Sequence, residues 1–137
     1  MSQSSDHYEA RRWLATAADD LGAARALASA GYHAHACFSA QQCAEKAAKA
    51  LWYLVGADPW GHSIQALLEK FPQRAEYDVT DALVEKGAEL DRFYIPTRYP
   101  NGLPDLTPGK NYFSTDSQRA ITLAETVFEA FRCRIES

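Results

Sequence analysis

Two short polar segments contain the residues of this sequence that could do chemistry, and the first is built around Arg98. This arginine stands directly before a tyrosine and a proline, and a proline restricts the backbone on both sides of its nitrogen. A guanidinium group can bind a phosphate or a carboxylate through two parallel hydrogen bonds. Tyr99 and the nearby Tyr94 could stack on a nucleotide base or pack on the protein. The segment therefore predicts either a phosphate-binding arginine or one that fixes its loop to a carboxylate such as Glu45 or Asp91.

The second segment is the polar face of a predicted helix. Four side chains recur there at steps of three and four residues and so share one face: Gln42, Glu45, Lys46 and Lys49. Glu45 and Lys49 stand in the favourable order for an exposed ion pair, worth about 0.3 kcal/mol. The face is interpreted either as solvated helix surface or as a site where a lysine meets a phosphate and its neighbours orient it. Spacing alone does not separate these two interpretations.

The histidines and cysteines give weaker signals. His62 or Ser63 could cap a short predicted helix, and the same helix end could accept an anionic ligand; capping is the favoured interpretation. His33 and His35 lie two residues apart and do not share a helix face, so we predict no metal site and no cofactor. The three cysteines, an odd number without CxxC spacing, are predicted to be buried thiols and not a disulfide or zinc site: Cys37, Cys43 and Cys133.

Helical periodicity dominates the rest of the chain, and no segment shows sustained strand alternation. Residue pairs at capping-box spacing, Asp6 with Glu9 and Thr115 with Gln118, are expected to begin the first and last helices. The predicted helices cover residues 6–29, 32–55, 63–71, 79–94 and 114–136. We therefore predict an all-α fold, an up-and-down bundle of four to five helices, in one domain that spans residues 1–137.

A long loop, residues 91–114, interrupts this pattern. It contains four of the six prolines, two glycines and five aromatic residues. Loops of more than about 12 to 15 residues without regular structure are uncommon in compact domains and are usually functional or disordered. Because disordered segments are poor in aromatic residues, the loop is the first candidate for function.

Composition and charge limit the classes of function. The chain has 137 residues and a net charge of −4, which argues against a non-specific DNA-coating protein but leaves room for a local anion-binding pocket. No run approaches the roughly 18 consecutive apolar residues of a membrane span. The polar start lacks the apolar core of a signal peptide. We expect a cytoplasmic protein without a membrane partner.

Three segments together carry a resemblance to a known family. The stretch "YHAHACFSAQQCAEKAAKALW", followed by "HSIQALLEKF" and "FYIPTRYPNGLP", closely resembles the HEPN domain, a small helical domain associated with nucleotides and RNA. The likeness covers about residues 6–135. It implies a bundle of four or five helices that forms a homodimer with a cleft near its interface. It also implies a minimal nucleotidyltransferase as a partner protein, in some cases as a toxin–antitoxin pair.

One motif of the family is missing. Many HEPN domains are metal-independent ribonucleases that carry an arginine followed four to six residues later by a histidine. No histidine follows His62 here, and seven residues separate Arg25 from His33. Without a placed imidazole, abstraction of the ribose 2′-hydroxyl proton lacks its usual general base. The resemblance therefore implies the non-nuclease branch, whose members are described as nucleotide-binding.

The leading hypothesis is a non-catalytic module that binds a nucleotide or RNA. In this hypothesis Arg98 and Lys49 contact phosphate. Tyr94 or Tyr99 contacts the base. Glu45 and Gln42 orient the basic groups by hydrogen bonds. We predict eight ligand-binding side chains and no catalytic residue: Arg98, Tyr99, Lys49, Glu45, Gln42, Lys46, His62 and Tyr94.

Two alternatives come from other classes of function. The chain could be a metal-independent ribonuclease that uses His62 with Arg98 across a dimer. It could instead be an interaction protein whose aromatic loop, with Tyr94 and Tyr99, is a dimer or partner surface.

Overall fold

Two long antiparallel helices with alanine-rich contacts form the centre of the fold. In this computed structural model residues 3–136 are described, with side chains from residue 5 onward. Helix α1 spans Gln3–Ser29 and helix α2 spans His33–Leu54. They are joined at Gly31, whose φ of 87° favours glycine. The buried face of α1 repeats at steps of four and three residues, which brings small side chains against α2: Ala10, Leu14, Ala17, Leu21 and Ala24.

The remaining helices surround α2. Helices α3 (Ile64–Glu69) and α4 (Asp81–Asp91) pack on each other and on α2, and the long C-terminal helix packs on α1, α2 and α4. Helix α2 is consequently buried at twelve positions: Ala34, Ala36, Cys37, Ala40, Gln41, Cys43, Ala44, Glu45, Ala47, Ala48, Ala50 and Leu51. A helix covered on nearly every side must also bury part of its polar face.

The predicted loop between α4 and the last helix contains short regular elements. A 3₁₀ turn covers Pro100–Gly102, helix α5 covers Pro108–Asn111, and helix α6 then runs over Ser114–Glu136. Both short elements begin with proline, which is favoured at a first helical position because its missing N–H would be unpaired there anyway. The sequence did not predict α5. Across residues 3–136 the structure has six α-helices and no strand, so the all-α bundle is confirmed.

The predicted capping boxes are wrong in detail. Helix α1 already begins at Gln3, so Asp6 lies inside it, and Glu9 accepts hydrogen bonds from side chains one turn further on. At the start of α6, the side chain that reaches back belongs to Asp116, which accepts the backbone N–H of Phe113 at 2.7 Å. At α6 the reaching-back half of a capping box is therefore present, but two residues before the predicted pair.

The thiols differ in exposure. Cys37 and Cys43 are buried as predicted, and burial raises the pKa of each thiol to about 12. Cys133 is exposed, because it lies on the outer face of α6, and its prediction as a buried thiol is wrong. In the described part of the chain, no helix combines the length and apolar character that a membrane crossing requires.

Candidate functional site

Arg98 lies among three aromatic rings at the end of α4. Residues 92–98 continue from α4 as successive turns, in which the backbone N–H of Arg98 bonds to the carbonyl of Ile95 at 3.0 Å. The Arg98 Nε donates to the carbonyl oxygen of Tyr94 at 2.9 Å. Its guanidinium carbon lies 4.5 Å from the ring centroid of Phe38, 4.6 Å from that of Tyr94 and 5.0 Å from that of Tyr99. Cation–π attraction and one hydrogen bond therefore hold the guanidinium in place.

The charge of Arg98 has no acidic partner. No carboxylate of residues 5–136 lies within ion-pair distance of it, and its two terminal nitrogens bond to no described residue. Because no buried side-chain nitrogen in the described structure lacks a partner, those nitrogens reach solvent. The alternative in which Arg98 fixes its loop to Glu45 or Asp91 is wrong. An oriented, uncompensated guanidinium remains, a group suited to bind phosphate.

Glu45 is the centre of a buried polar network. Only 3% of this residue is exposed, because α2 is covered on most sides. Its Oε2 lies 3.1 Å from Lys49 Nζ and 3.3 Å from His62 Nδ1. Its Oε1 accepts the side-chain amides of Gln41 and Gln42, each at 3.4 Å. The ion pair with Lys49 is formed, but it is buried, so the prediction of an exposed pair on a solvated face is wrong.

His62 connects this network to the arginine. Its ring stacks on Tyr94 with the centroids 5.2 Å apart and the planes 19° apart, while Nδ1 faces Glu45. The His62 side chain is 62% exposed, and Nε2 has no partner within residues 5–136. In a neutral imidazole whose Nδ1–H donates a hydrogen bond to a carboxylate, Nε2 is the acceptor. Tyr94 thus contacts the imidazole and the guanidinium at once.

The N-terminus of α3 is already occupied by a carboxylate. Ser63 caps the helix by accepting the backbone N–H of Ala66 at 3.1 Å, as the favoured interpretation predicted. Asp91 accepts the backbone N–H groups of Ile64 at 2.8 Å and Gln65 at 3.0 Å. Burial raises the pKa of Asp91, and these hydrogen bonds oppose that effect. The anionic ligand considered for this helix end is therefore replaced by a side chain of the protein itself.

Lys46 lies apart from this cluster. Its Nζ is 2.7 Å from Asp20 on α1. It lines an open cavity of about 530 Å³ together with Trp13 and Thr16. Of the eight predicted binding residues, Lys46 is thus the one that the structure does not bring to the others. The remaining seven form one connected cluster: Gln42, Glu45, Lys49, His62, Tyr94, Arg98 and Tyr99.

A small cavity opens beside this cluster. It measures about 180 Å³ and is lined by His62, Ser63, Asp91 and Tyr94. An imidazole and a phenol ring therefore border one concave surface where a ring could stack. Arg98 does not line this cavity, but its guanidinium lies against the Tyr94 ring that does.

The comparisons with known proteins agree with this architecture. The model of the HEPN domain family matches residues 10–134. The chain belongs to the HEPN domain family. No curated protein matches it. It is similar to the solved structure of TT1696 from Thermus thermophilus, with 39% identity, a TM-score of 0.86, and coverage of 90% of this chain and 96% of the other.

Two further solved structures show the same relationship. The archaeal HEPN homologue ST0689 is 33% identical with a TM-score of 0.77, covering 93% of this chain and 98% of its own. An HEPN domain protein of Thermotoga maritima, tm0613, is 30% identical with a TM-score of 0.71. The match covers 91% of this chain and 98% of the other. The fold expected from the resemblance is thus confirmed.

Two further side chains contact this cluster and were not predicted from the sequence. Phe38 and Gln41 are not among the predicted binding residues, yet Phe38 packs against Arg98 and the Gln41 amide reaches Glu45. The signal was present in part, because they precede Glu45 by about two helical turns and one helical turn and so lie on the same side of α2.

Proposed function

We propose that this HEPN domain is a non-catalytic cytoplasmic module that binds a nucleotide or RNA at the surface formed by Arg98, Tyr94 and His62. The observation that carries the proposal is the Arg98 guanidinium, which three rings orient and no described carboxylate neutralises. Phosphate would bind its terminal nitrogens. The base would stack on Tyr94 or Tyr99, as bases do on aromatic side chains of RNA-binding proteins.

The buried network supports this binding surface indirectly. A bare carboxylate at Glu45 would repel an incoming phosphate, but Lys49 neutralises it at 3.1 Å. Lys49 is only 13% exposed at its side chain, so we assign it this neutralising role in addition to any phosphate contact. Glu45, which Gln42 holds by a hydrogen bond, positions the imidazole of His62 against Tyr94 and so fixes the stacking surface.

Competition binding separates the phosphate and base contacts. A labelled short single-stranded RNA would be displaced by AMP, by ribose 5-phosphate and by inorganic phosphate. We expect Arg98→Ala to weaken all three competitors, because each carries a phosphate. We expect Tyr94→Leu to weaken AMP by about tenfold and to weaken inorganic phosphate less, because phosphate loses only one of the three rings that orient Arg98. Equal affinities of wild type and Arg98→Ala for every competitor would refute the proposed phosphate contact.

A ribonuclease remains the second candidate, favoured by one observation. Glu45 holds Nδ1 of His62 while the rest of the imidazole is exposed, which is the arrangement of an oriented general base. Metal-independent cleavage of RNA that His62→Ala abolishes would establish this activity. RNA that stays intact at high protein concentration in the presence of EDTA would exclude it.

Association with a second protein is proposed on the exposed face of the loop. Apolar side chains there are open to solvent: Ile95, Tyr99, Leu106 and Phe113. Exposed apolar side chains on one loop favour a protein contact, and the family resemblance suggests a second copy of this chain or a minimal nucleotidyltransferase, as in a toxin–antitoxin pair. Sedimentation equilibrium of wild type and of Phe113→Ser would test the homodimer, which the substitution should weaken. A wild-type monomer at all concentrations would exclude it.

A further inference from the structure

Trp60 is the most exposed large apolar side chain in the described structure. It is 87% exposed and lies in the turn between α2 and α3. This turn is bounded by Gly56 with φ 72° and Gly61 with φ 86°, conformations that favour glycine. The backbone is therefore shaped by residues that permit an unusual path, and that path leaves the indole in solvent. Folding alone gives no reason for an indole there.

This indole lines another cavity, which measures about 210 Å³. Trp52 also lines it and is fixed because its Nε1 donates to the carbonyl of Leu67 at 2.9 Å. Ala66 and Lys70 are further lining residues. Lys70 has no acidic partner within ion-pair distance in residues 5–136. The cavity thus combines two indoles and one uncompensated cation.

The two cavities meet at His62. His62 and Ser63 line both the cavity of about 180 Å³ beside Tyr94 and the cavity of about 210 Å³ beside Trp60. The lining consequently continues from Tyr94, whose ring contacts Arg98, past the imidazole to Trp60 and Lys70. Aromatic and cationic groups therefore lie at both ends of this surface. Proteins that bind single-stranded nucleic acid combine these two elements, stacking surfaces for successive bases and positive charge for the backbone.

We propose that Trp60, Trp52 and Lys70 form a second stacking subsite, so that the ligand is a single-stranded oligonucleotide of at least two nucleotides. This inference rests on the proposed function, since the first base and phosphate occupy the surface of Tyr94 and Arg98. The second base enters the cavity beside Trp60, and Lys70 faces the sugar-phosphate backbone.

The test compares AMP with the dinucleotide pApA in calorimetric titrations of wild type, Trp60→Ala, Arg98→Ala and the control Tyr32→Ala, which removes an exposed aromatic ring elsewhere. One additional stacked base should make pApA bind at least about fivefold tighter than AMP. Trp60→Ala should abolish that preference without changing the affinity for AMP, while Tyr32→Ala should change neither. Because the indole is almost fully exposed, the melting temperature of Trp60→Ala should match wild type.

Any other result of these titrations would overturn the proposal of a second stacking subsite. If pApA binds no tighter than AMP, or if the preference survives in Trp60→Ala, there is no second subsite at Trp60. In both cases AMP binding that Arg98→Ala removes would still support the proposed function. If wild type binds neither ligand, the proposed function fails together with this inference. A parallel titration with the deoxy dinucleotide distinguishes RNA from single-stranded DNA as the source of the oligonucleotide.

Discussion

Arg98 and Glu45 show how burial decides what a charged residue does. Arg98 keeps its charge uncompensated because rings, not carboxylates, surround it. Glu45 loses almost all contact with water and instead gathers a lysine, a histidine and two amides. The first arrangement leaves a group free to bind an anion, while the second stabilises and orients its neighbours.

Removing the buried carboxylate should be costly. In Glu45→Gln, Lys49 becomes a mostly buried cation without its partner, and we expect a loss of about 3 kcal/mol in the free energy of unfolding. Urea denaturation measures it as a lower midpoint at unchanged m-value. The control Glu125→Gln breaks an exposed pair with Arg25 and should cost less than about 1 kcal/mol. Similar losses in both variants would contradict the buried network.

The thiols should react in two classes. Burial raises the pKa of Cys37 and of Cys43 to about 12, and the thiolate is the reactive form. Titration of the native protein with Ellman's reagent at pH 8 should therefore modify one thiol quickly and the other two only after denaturation. Cys133→Ser should remove the fast phase. A fast phase that persists in this variant would contradict the exposure of Cys133.

The contact between α3 and α4 depends on a glycine. A Cβ added at Gly87 would lie 2.8 Å from the Ile64 Cγ2 methyl and 3.3 Å from the backbone nitrogen of Gln65. Although alanine favours helix by about 1 kcal/mol, overpacking typically costs 1–3 kcal/mol, and we expect Gly87→Ala to lose about 1 kcal/mol net. Gly22→Ala on α1 meets nothing within 4 Å and should be stabilising. Thermal denaturation of the two variants measures these opposite signs, and a stabilised Gly87→Ala would contradict the close contact.

Two carboxylates of α4 should respond to pH with opposite signs. Burial raises the pKa of Asp91, so its contribution to stability increases as the pH falls toward its unfolded pKa near 4. The hydrogen bond from Arg119 lowers the pKa of Glu89, so its contribution is present above its unfolded pKa and is lost as the pH falls through the folded value.

Urea midpoints between pH 7 and about pH 3 test this pair, because the loss at Glu89 develops below its unfolded pKa. Relative to wild type, Asp91→Asn should lose more stability as the pH falls, because it lacks the favourable protonation. Glu89→Gln should lose less, because it never had the pair with Arg119 that acid removes. The same pH slope in both variants would contradict the assignment. The pH response of Asp91 bears on the candidate site, because Asp91 holds the N-terminus of α3 next to His62.

In the whole molecule, periodicity predicted the helices, while contacts between distant segments fixed the site. The bundle and the seven connected site residues followed from spacing and from the family resemblance. The burial of Glu45 could not be predicted, because polar residues recur at steps of three and four on a solvated helix face and on a covered one alike. The exposure of Trp60 depends on the backbone conformations of two glycines. The short helix α5 begins at a proline, in a segment that the sequence predicted to be a loop.

Calorimetric titration with AMP and a short single-stranded RNA tests whether Arg98 binds a phosphate-bearing ligand. Wild type should bind at least one of them saturably, and Arg98→Ala should remove that binding. The control Arg92→Ala changes an exposed arginine earlier in the same segment and should bind like wild type. Arg98→Lys should bind weakly, since it keeps the charge without the planar fork. Equal binding by wild type and Arg98→Ala, or no binding by wild type, would show that Arg98 is not a phosphate-binding residue.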